Sequence, residues 1–221
     1  MSDSNTLDLI RHNPDVTPDS CIIWLHGLGA SGHDFAPVTP LLRQVASAPG
    51  LTAIYPHAPE LAVTINGGMK MPAWYDILAA SPRRVINPHQ FQQSVADVQQ
   101  LISNLIAEGI SSQRIILAGF SQGGAVAYQA ALGFGQQLGG LICLSTYLAQ
   151  EPLISEENKR LPVFIGHGQM DMVVPQMLGL EAVSLLEGRE LTPVWREYPI
   201  QHEVSQQELE DVATFIRRVL T

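Results

Sequence analysis

The chain has 221 residues, of which 46% are apolar and 15% are charged, and its formal net charge is −9. These values predict one globular domain over residues 1–221, large enough to bury a core, and they exclude a disordered chain. The negative charge and the lack of any Lys or Arg cluster argue against nucleic acid as a partner.

The start of the chain and the two cysteines bear on where the protein works. Residues 1–11 are polar and acidic, unlike a signal peptide, and no apolar run approaches the length of a transmembrane helix. Cys21 and Cys143 each lie inside an apolar run, which predicts buried free thiols and fits a reducing compartment. We therefore expect a cytoplasmic protein without stable membrane insertion.

The first 55 residues predict strands separated by a helix. Residues 7–12 suggest a short edge strand, and the continuous apolar run 21–25 is typical of a strand covered on both faces. That run stops at a loop, 26–32, which is too rich in glycine to be ordinary connecting chain. Residues 35–45 then follow helical spacing, and 52–55 predict the next strand.

The stretch 56–82 has no clear period although it carries many apolar side chains. A loop of this length in a small domain is either functional or contains an element that the pattern does not reveal. Trp74, within it, has two interpretations of similar weight, a core residue or part of a binding groove. The apolar residues concerned are Leu61, Val63, Ile65, Met69, Met71, Trp74, Tyr75 and Ile77.

The remaining chain alternates between helices and strands. Asn87 can cap a long helix, with Pro88 at its first position and Gln90 at its third, and Gly109 ends the apolar stripe. Ser205 and Glu208 form the pattern of a capping box before the last helix. Short apolar runs predict strands at 115–118, 141–144, 163–165 and 194–198, and a further helix is expected over 177–186. Such alternation predicts a mainly parallel sheet with helices on both faces, and chemistry at the carboxyl ends of its strands.

The strand at 115–118 leads into Gly-Phe-Ser-Gln-Gly at residues 119–123, followed by small residues suited to a closely packed helix. This order of strand, sharp turn and helix is the context of a nucleophile elbow, in which the serine hydroxyl is raised clear of the sheet. Gly119, Gly123 and Gly124 are expected to permit the close approach of strand and helix. We therefore predict Ser121 to be the nucleophile rather than a surface serine.

A serine nucleophile needs a histidine base and an acid that orients it, and after an elbow serine the expected chain order is acid, then histidine. Asp171 lies in the loop after the strand at 163–165, and His202 follows the strand at 194–198. The other six histidines precede the elbow, begin a helix or adjoin the Asp171 loop. We predict Asp171 as the acid and His202 as the base, with Asp76 and Asp211 as the alternative acids.

The tetrahedral intermediate of acyl transfer needs N–H donors for its oxyanion. One is expected from the backbone of Gln122, directly after the nucleophile, and the other from Leu28 in the glycine-rich loop. His26, His33 and Asp34 match no known metal site in spacing or ligand number, so no metal is expected.

Four segments together resemble the phospholipase/carboxylesterase family. They are Leu-His-Gly-Leu-Gly at 25–29, Ala-Trp-Tyr-Asp-Ile at 73–77, Gly-Phe-Ser-Gln-Gly-Gly at 119–124, and His-Gly-Gln-Met-Asp at 167–171 with Val-Val-Pro at 173–175. The resemblance covers nearly the whole chain. It implies an α/β-hydrolase fold without a large cap domain, with Ser121, Asp171 and His202 as the catalytic triad and Leu28 and Gln122 as oxyanion donors.

We expect a serine carboxylesterase that hydrolyses small-molecule acyl esters of short to medium chain length and needs no cofactor. Met69, Met71 and Trp74 are the residues predicted to form an acyl-binding wall beside the nucleophile. The alternatives are an acyl-protein thioesterase or lysophospholipase, and a non-catalytic ligand-binding protein of the same fold. Glu203 and Val204 after His202 look more like the bacterial esterases than the thioesterases. The sequence leaves a homodimer open.

Overall fold

The computed structural model describes residues 7–80 and 84–221. Pro82 and the first six residues, which entered the expectations above, lie outside this range. The strands are β1 Leu9–His12, β2 Ser20–Leu25, β3 Leu51–Pro56, β4 Glu60–Val63, β5 Met69–Pro72, β6 Ile77–Ala79, β7 Val85–Ile86, β8 Ile115–Phe120, β9 Gly140–Leu144, β10 Val163–Gly168 and β11 Val194–Tyr198. The α-helices are α1 Thr39–Ala46, α2 Pro88–Ala107, α3 Gln122–Leu132, α4 Gln176–Glu187 and α5 Gln206–Leu220.

A seven-stranded sheet runs through the centre in the order β1-β3-β2-β8-β9-β10-β11. Strand β1 pairs antiparallel with β3 at one edge, and the other neighbours are parallel. The predicted edge strand and the mainly parallel sheet are both confirmed. Because the parallel strands share one direction, the loops after β2, β8, β10 and β11 lie along one edge of the sheet.

Helices cover both faces of this sheet, as the alternating pattern predicted. One face packs against α2, α3 and α4, and the other packs against α1 and α5. The central strands are buried along their whole length because each face is covered, which explains their continuous apolar runs.

Strand β10 extends three residues beyond the predicted run 163–165. It continues through Gly166, His167 and Gly168, all buried. His167 is therefore inside the strand, and the Asp171 loop begins only after Gly168. Within the described residues no helix has the length and apolar character that crossing a membrane would require.

The stretch 56–82, for which no period was recognised, contains two small hairpins in its described part. Strand β4 pairs antiparallel with β5, and β6 pairs antiparallel with β7. Each strand has two to four residues, and most side chains of β4 and β5 remain accessible to solvent. The alternation is therefore too short and too weakly buried to show as a period of two in the sequence.

The predicted start of α2 is correct, but one side chain acts differently. Asn87 caps the helix by accepting hydrogen bonds from the N–H groups of His89 and Gln90. The Gln90 amide does not close a capping box, because its Oε1 accepts the N–H of Asp76 at 2.8 Å. Gln90 thus ties the start of α2 to the chain just before β6.

At the start of α5, half of the predicted capping box is present. Ser205 Oγ accepts the N–H of Glu208 at 3.1 Å, as expected. The Glu208 carboxylate instead turns inward against Gly166, where it is fully buried and neither oxygen has a hydrogen-bond partner among the described residues. Burial raises the pKa of Glu208 to about 8, the nearby Asp211 also raises it, and the Ser205 N–H lowers it.

This buried carboxyl predicts a pH-dependent loss of stability. A carboxyl with a folded pKa above its unfolded pKa contributes fully below about pH 4.5, and the contribution is lost as pH rises through about 8. Replacing Glu208 with glutamine removes the cost of ionisation, so we expect the variant to gain stability over the wild type between pH 5 and 8. The gain at pH 8 should be on the order of a few kcal/mol, because one pKa unit corresponds to about 1.4 kcal/mol.

Urea unfolding at pH 5, 6.5 and 8 measures this difference directly. Glu210→Gln is the matched control, because Glu210 lies on the same helix and bonds the exposed Gln206 side chain. A constant difference between Glu208→Gln and wild type across these pH values would contradict the prediction.

Candidate active site

The turn between β8 and α3 holds Ser121 in a backbone conformation that serine rarely adopts. Its φ is 52° and its ψ is −119°, and it directly precedes the first residue of α3. The Ser121 N–H donates to Leu144 O at 3.0 Å, and Ser121 O accepts the hydroxyl of Thr146 at 2.6 Å. Contacts from the next strand therefore hold the strained turn in place.

The three glycines of this turn have no room for a side chain. A Cβ atom at Gly119 would lie 2.5 Å from Gly123 O, and one at Gly123 would lie 2.6 Å from Leu25 O. A Cβ atom at Gly124 would lie 2.6 Å from the Thr146 side chain. The sequence-based expectation that these glycines permit close packing is confirmed.

The structure brings Ser121, His202 and Asp171 into one hydrogen-bonded chain. His202 Nε2 lies 2.9 Å from Ser121 Oγ, and His202 Nδ1 lies 2.7 Å from Asp171 Oδ2. The three residues come from the ends of β8, β10 and β11, which meet at one edge of the sheet. The His202 ring also packs against Phe120, with ring centroids 4.8 Å apart.

Asp171 is fixed by hydrogen bonds on both carboxylate oxygens. Oδ1 accepts the N–H groups of Val173 at 2.9 Å and Val174 at 2.8 Å, which leaves Oδ2 for His202. Burial tends to raise the pKa of Asp171, but the hydrogen bonds from His202, Val174 and Val173 together lower it below its usual value. The carboxylate is thus held ionised beside the imidazole.

His167 supports the Asp171 loop from inside β10, as the sequence suggested. Its Nε2–H donates to Val174 O at 2.8 Å, and the ring is fully buried. Burial lowers the pKa of His167, so the ring stays neutral and serves as a fixed brace.

The alternative acids lie elsewhere and have other partners. Asp76 accepts the N–H and hydroxyl of Thr64, and Asp211 accepts the hydroxyl of Tyr198 at 2.8 Å. Neither carboxylate bonds a histidine among the described residues. Asp34 caps the short turn after the glycine-rich loop by accepting the Ser31 N–H.

Two backbone N–H groups face the side of Ser121 where an oxyanion would form in acyl transfer. Leu28 N–H follows β2, and Gln122 N–H is the first of α3. Within the part of the chain that the structure describes, neither N–H donates a hydrogen bond to another group. Gln122 N–H also lies at the positive end of the α3 dipole.

The three residues predicted to bind the acyl chain are placed differently from one another. Met69 is 64% exposed on β5, and Met71, on the same face two residues later, lies beside Gly29 of the glycine-rich loop. Trp74 is only 1% exposed and belongs to the core. Its burial favours the core interpretation, because a buried ring offers no surface to an open groove.

Comparison with protein families places this geometry in context. The model of the family described as Phospholipase/Carboxylesterase matches residues 11–220. The chain belongs to the phospholipase/carboxylesterase family. The family establishes the α/β-hydrolase fold for the sheet and helices described above, and the chain is accordingly a serine hydrolase.

Relatives of this phospholipase/carboxylesterase family member include fungal proteins named acyl-protein thioesterase 1. The one from Saccharomyces cerevisiae is 34% identical over 210 residues, covering 90% of this chain and 92% of its own length. The one from Gibberella zeae is 33% identical over 212 residues, covering 90% of each chain. The crystal structure of Arabidopsis thaliana SOBER1 superposes with a TM-score of 0.84 at 28% identity, covering 92% of this chain and all of its own.

Sequence reasoning missed two polar side chains next to this site. The Gln122 side chain and the Trp74 indole N–H both hydrogen-bond backbone atoms far away in sequence. Pattern analysis finds a residue by its local context, and these bonds depend on how distant segments meet.

Proposed function

We propose that this protein is a cytoplasmic serine carboxylesterase that hydrolyses short- to medium-chain acyl esters with Ser121 as nucleophile. The observation that carries the proposal is the hydrogen-bonded chain from Ser121 Oγ through His202 to Asp171. Cys21 and Cys143 are free and buried, and burial raises the pKa of each thiol, which suits a reducing compartment.

In the proposed first half-reaction, neutral His202 carries its proton on Nδ1, which donates to Asp171, and its Nε2 accepts the Ser121 proton. Ser121 Oγ attacks the ester carbonyl carbon, and the carbonyl oxygen becomes an oxyanion that accepts hydrogen bonds from Leu28 N–H and Gln122 N–H. His202 then gives the proton to the leaving alcohol as the C–O bond breaks, which leaves an acyl-enzyme.

The second half-reaction repeats these steps with water. His202 Nε2 takes a proton from the water molecule, whose oxygen attacks the acyl carbon. The same N–H donors stabilise the second oxyanion, and the returned proton restores Ser121 as the carboxylic acid leaves. Asp171 keeps its charge throughout and stabilises the imidazolium that forms transiently.

A thioesterase is the second candidate, and the names of the fungal relatives favour it. Ester and thioester hydrolysis use the same nucleophile, base and oxyanion donors, so the triad geometry does not separate them. Selectivity depends instead on the surface that receives the acyl chain and the leaving group.

A substrate panel tests the proposal. It comprises p-nitrophenyl acetate, butyrate, octanoate and palmitate, with an octanoyl thioester of a small thiol alongside. We expect the highest kcat/KM for an ester of short or medium length. A kcat/KM for the thioester at least tenfold above that for the octanoate ester would transfer the assignment to the thioesterase. Absence of turnover on every substrate would overturn both.

The methionines of β5 predict how this panel changes on substitution. Each methylene buried against Met69 or Met71 contributes up to about 0.8 kcal/mol, which is roughly fourfold in kcat/KM. Replacing either Met69 or Met71 with alanine should therefore reduce kcat/KM for octanoate several-fold more than for acetate. The stronger effect is expected for Met71, which lies against the glycine-rich loop.

The exposed Met172, on the loop after β10, supplies the matched control. Met172→Ala should leave the ratio of octanoate to acetate activity unchanged. Equal losses for the two esters in Met69→Ala and Met71→Ala would show that these side chains support the fold and do not bind the acyl chain.

A further inference from the structure

The two proposed oxyanion donors belong to separate elements. Leu28 lies in the loop after β2, whereas Gln122 begins α3. An oxyanion is stabilised strongly only when both N–H groups reach it at about 2.7–3.1 Å, so the spacing between loop and helix must be fixed. The structure contains a specific connection that can do this.

The first part of the connection is the Gln122 side chain. Its Oε1 accepts the N–H of Trp74 at 2.9 Å, and its Nε2 donates to Tyr75 O at 2.7 Å. The residue is 1% exposed. Because one partner is a donor and the other an acceptor, only one orientation of the amide satisfies both. The start of α3 is thereby attached to residues 74–75.

The second part is the attachment of the same segment to the glycine-rich loop. The indole N–H of Trp74 donates to His26 O at 2.9 Å, and the Gly29 N–H donates to Pro72 O at 2.8 Å. These bonds hold the loop immediately before and immediately after the Leu28 N–H. The segment 72–75 therefore contacts both sides of the proposed oxyanion site.

His26 adds rigidity at the base of the loop. Its Nε2 accepts the Ala58 N–H at 3.0 Å, so the proton is on Nδ1, which donates to Gly27 O at 2.7 Å. The Trp74 ring packs against the His26 ring with centroids 5.3 Å apart. The Ser94 hydroxyl also donates to Trp74 O, which fixes the segment from the α2 side.

We infer that the Gln122 side chain and the Trp74 indole N–H are positioning groups that set the spacing between the two oxyanion N–H donors. The inference rests on the proposed function, because it assigns the spacing a role in acyl transfer. Neither side chain reaches the substrate, and each acts through the backbone that it holds. Loosening the connection lets Leu28 N–H move relative to Gln122 N–H, which weakens transition-state stabilisation and leaves ground-state binding of the ester in place.

Steady-state kinetics on p-nitrophenyl butyrate test this inference with three variants. Gln122→Met keeps the length of the side chain and removes both polar ends, and Trp74→Phe removes the indole N–H. For each we expect kcat to fall about 10- to 100-fold while KM changes less than about threefold, since losing one donor outright costs about 10²- to 10³-fold. Inhibition by a trifluoromethyl ketone, which forms a tetrahedral oxyanion adduct, should weaken in proportion to kcat/KM.

Gln122→Glu supplies a readout that a general structural role would not give. A protonated carboxyl can accept from Trp74 N–H and donate to Tyr75 O as the amide does, whereas a carboxylate opposes the Tyr75 carbonyl. The ratio of variant to wild-type kcat should therefore fall progressively from pH 6 to pH 9. Far-ultraviolet circular dichroism at each pH confirms that the variant remains folded.

Two substitutions at residues outside this connection are the controls. Gln129→Met alters a buried glutamine on the same helix, and Trp195→Phe alters a tryptophan on the edge strand β11. Both should keep kcat within about threefold of the wild type.

The possible outcomes separate the inference from the proposed function. Substantial turnover by Ser121→Ala would overturn the proposed function and, with it, the inference. If Ser121→Ala is inactive but Gln122→Met and Trp74→Phe keep wild-type kcat, only the inference is overturned. If Gln122→Met does not fold, the pH dependence of Gln122→Glu and the kinetics of Trp74→Phe decide, and a flat ratio with unchanged kcat contradicts the inference.

Discussion

Replacing Ser121 with alanine is expected to reduce ester turnover by about 10⁴- to 10⁶-fold and leave the fold intact. Nucleophile and base act as one unit, so removing the hydroxyl removes nearly all of the covalent pathway. The backbone at Ser121 stays at its strained φ of 52° with either side chain, because Leu144 O and Thr146 hold the turn through main-chain atoms. The measurement is kcat on p-nitrophenyl butyrate, with thermal unfolding of both proteins recorded in parallel.

Ser145→Ala is the matched control for this experiment. Ser145 is also a buried serine with positive φ, at the end of the neighbouring strand, and its hydroxyl has no hydrogen-bond partner among the described residues. We expect its kcat to stay within about threefold of the wild type. A fluorophosphonate probe should label wild type and Ser145→Ala but not Ser121→Ala. Labelling or turnover by a pure, folded Ser121→Ala preparation would refute the assignment of the nucleophile.

Replacing Asp171 with asparagine is expected to reduce kcat by about 10⁴-fold, because it disfavours the imidazole tautomer that the reaction needs. The surroundings of Asp171 determine which way the new amide faces. Val173 and Val174 both donate N–H groups to Oδ1, so the asparagine oxygen would stay there. The amide NH₂ would then face His202 Nδ1, which moves the ring proton to Nε2 and prevents acceptance of the Ser121 proton.

Two other acid-to-amide substitutions test the specificity of this effect. In Asp211→Asn and Asp76→Asn the amide oxygen can still accept from Tyr198 and Thr64 respectively. Both variants should keep kcat within about tenfold of the wild type. If either lost as much activity as Asp171→Asn while remaining folded, the identity of the acid would be wrong.

Local chemistry explains why much of the fold could be predicted. The buried strands appear as continuous apolar runs because helices cover both faces of the sheet. Asn87 and Ser205 begin helices through hydrogen bonds to residues two or three positions away, so the signal lies in a few consecutive letters. Elements with weak local signals were missed, as the short hairpin of β4 and β5 shows.

The positions of the candidate site residues were also predictable, for a related reason. A nucleophile elbow needs glycines at fixed offsets from the serine, and Gly119, Gly123 and Gly124 are those glycines. Asp171 and His202 follow strands of a parallel sheet, which places both at the carboxyl edge. Their roles in catalysis remain predictions that the substitutions above will test.

Side chains whose partners are distant in sequence could not be predicted. Glu208 has the pattern of a capping residue but turns inward, since Gly166 on β10 leaves space for its carboxyl group. Trp74 has the composition of a groove residue but is buried, since Gln122 binds its N–H from 48 positions away and His26 accepts its indole proton.

The sequence by itself therefore determined the strands, the helices, the elbow and the order of the candidate catalytic residues, because hydrogen bonds and steric limits within a few residues specify them. Only the tertiary structure decided which buried side chains join separate loops and which carboxyl group stays without a partner. Those outcomes depend on the distance between segments that meet only when the sheet is assembled, and no local pattern encodes that distance.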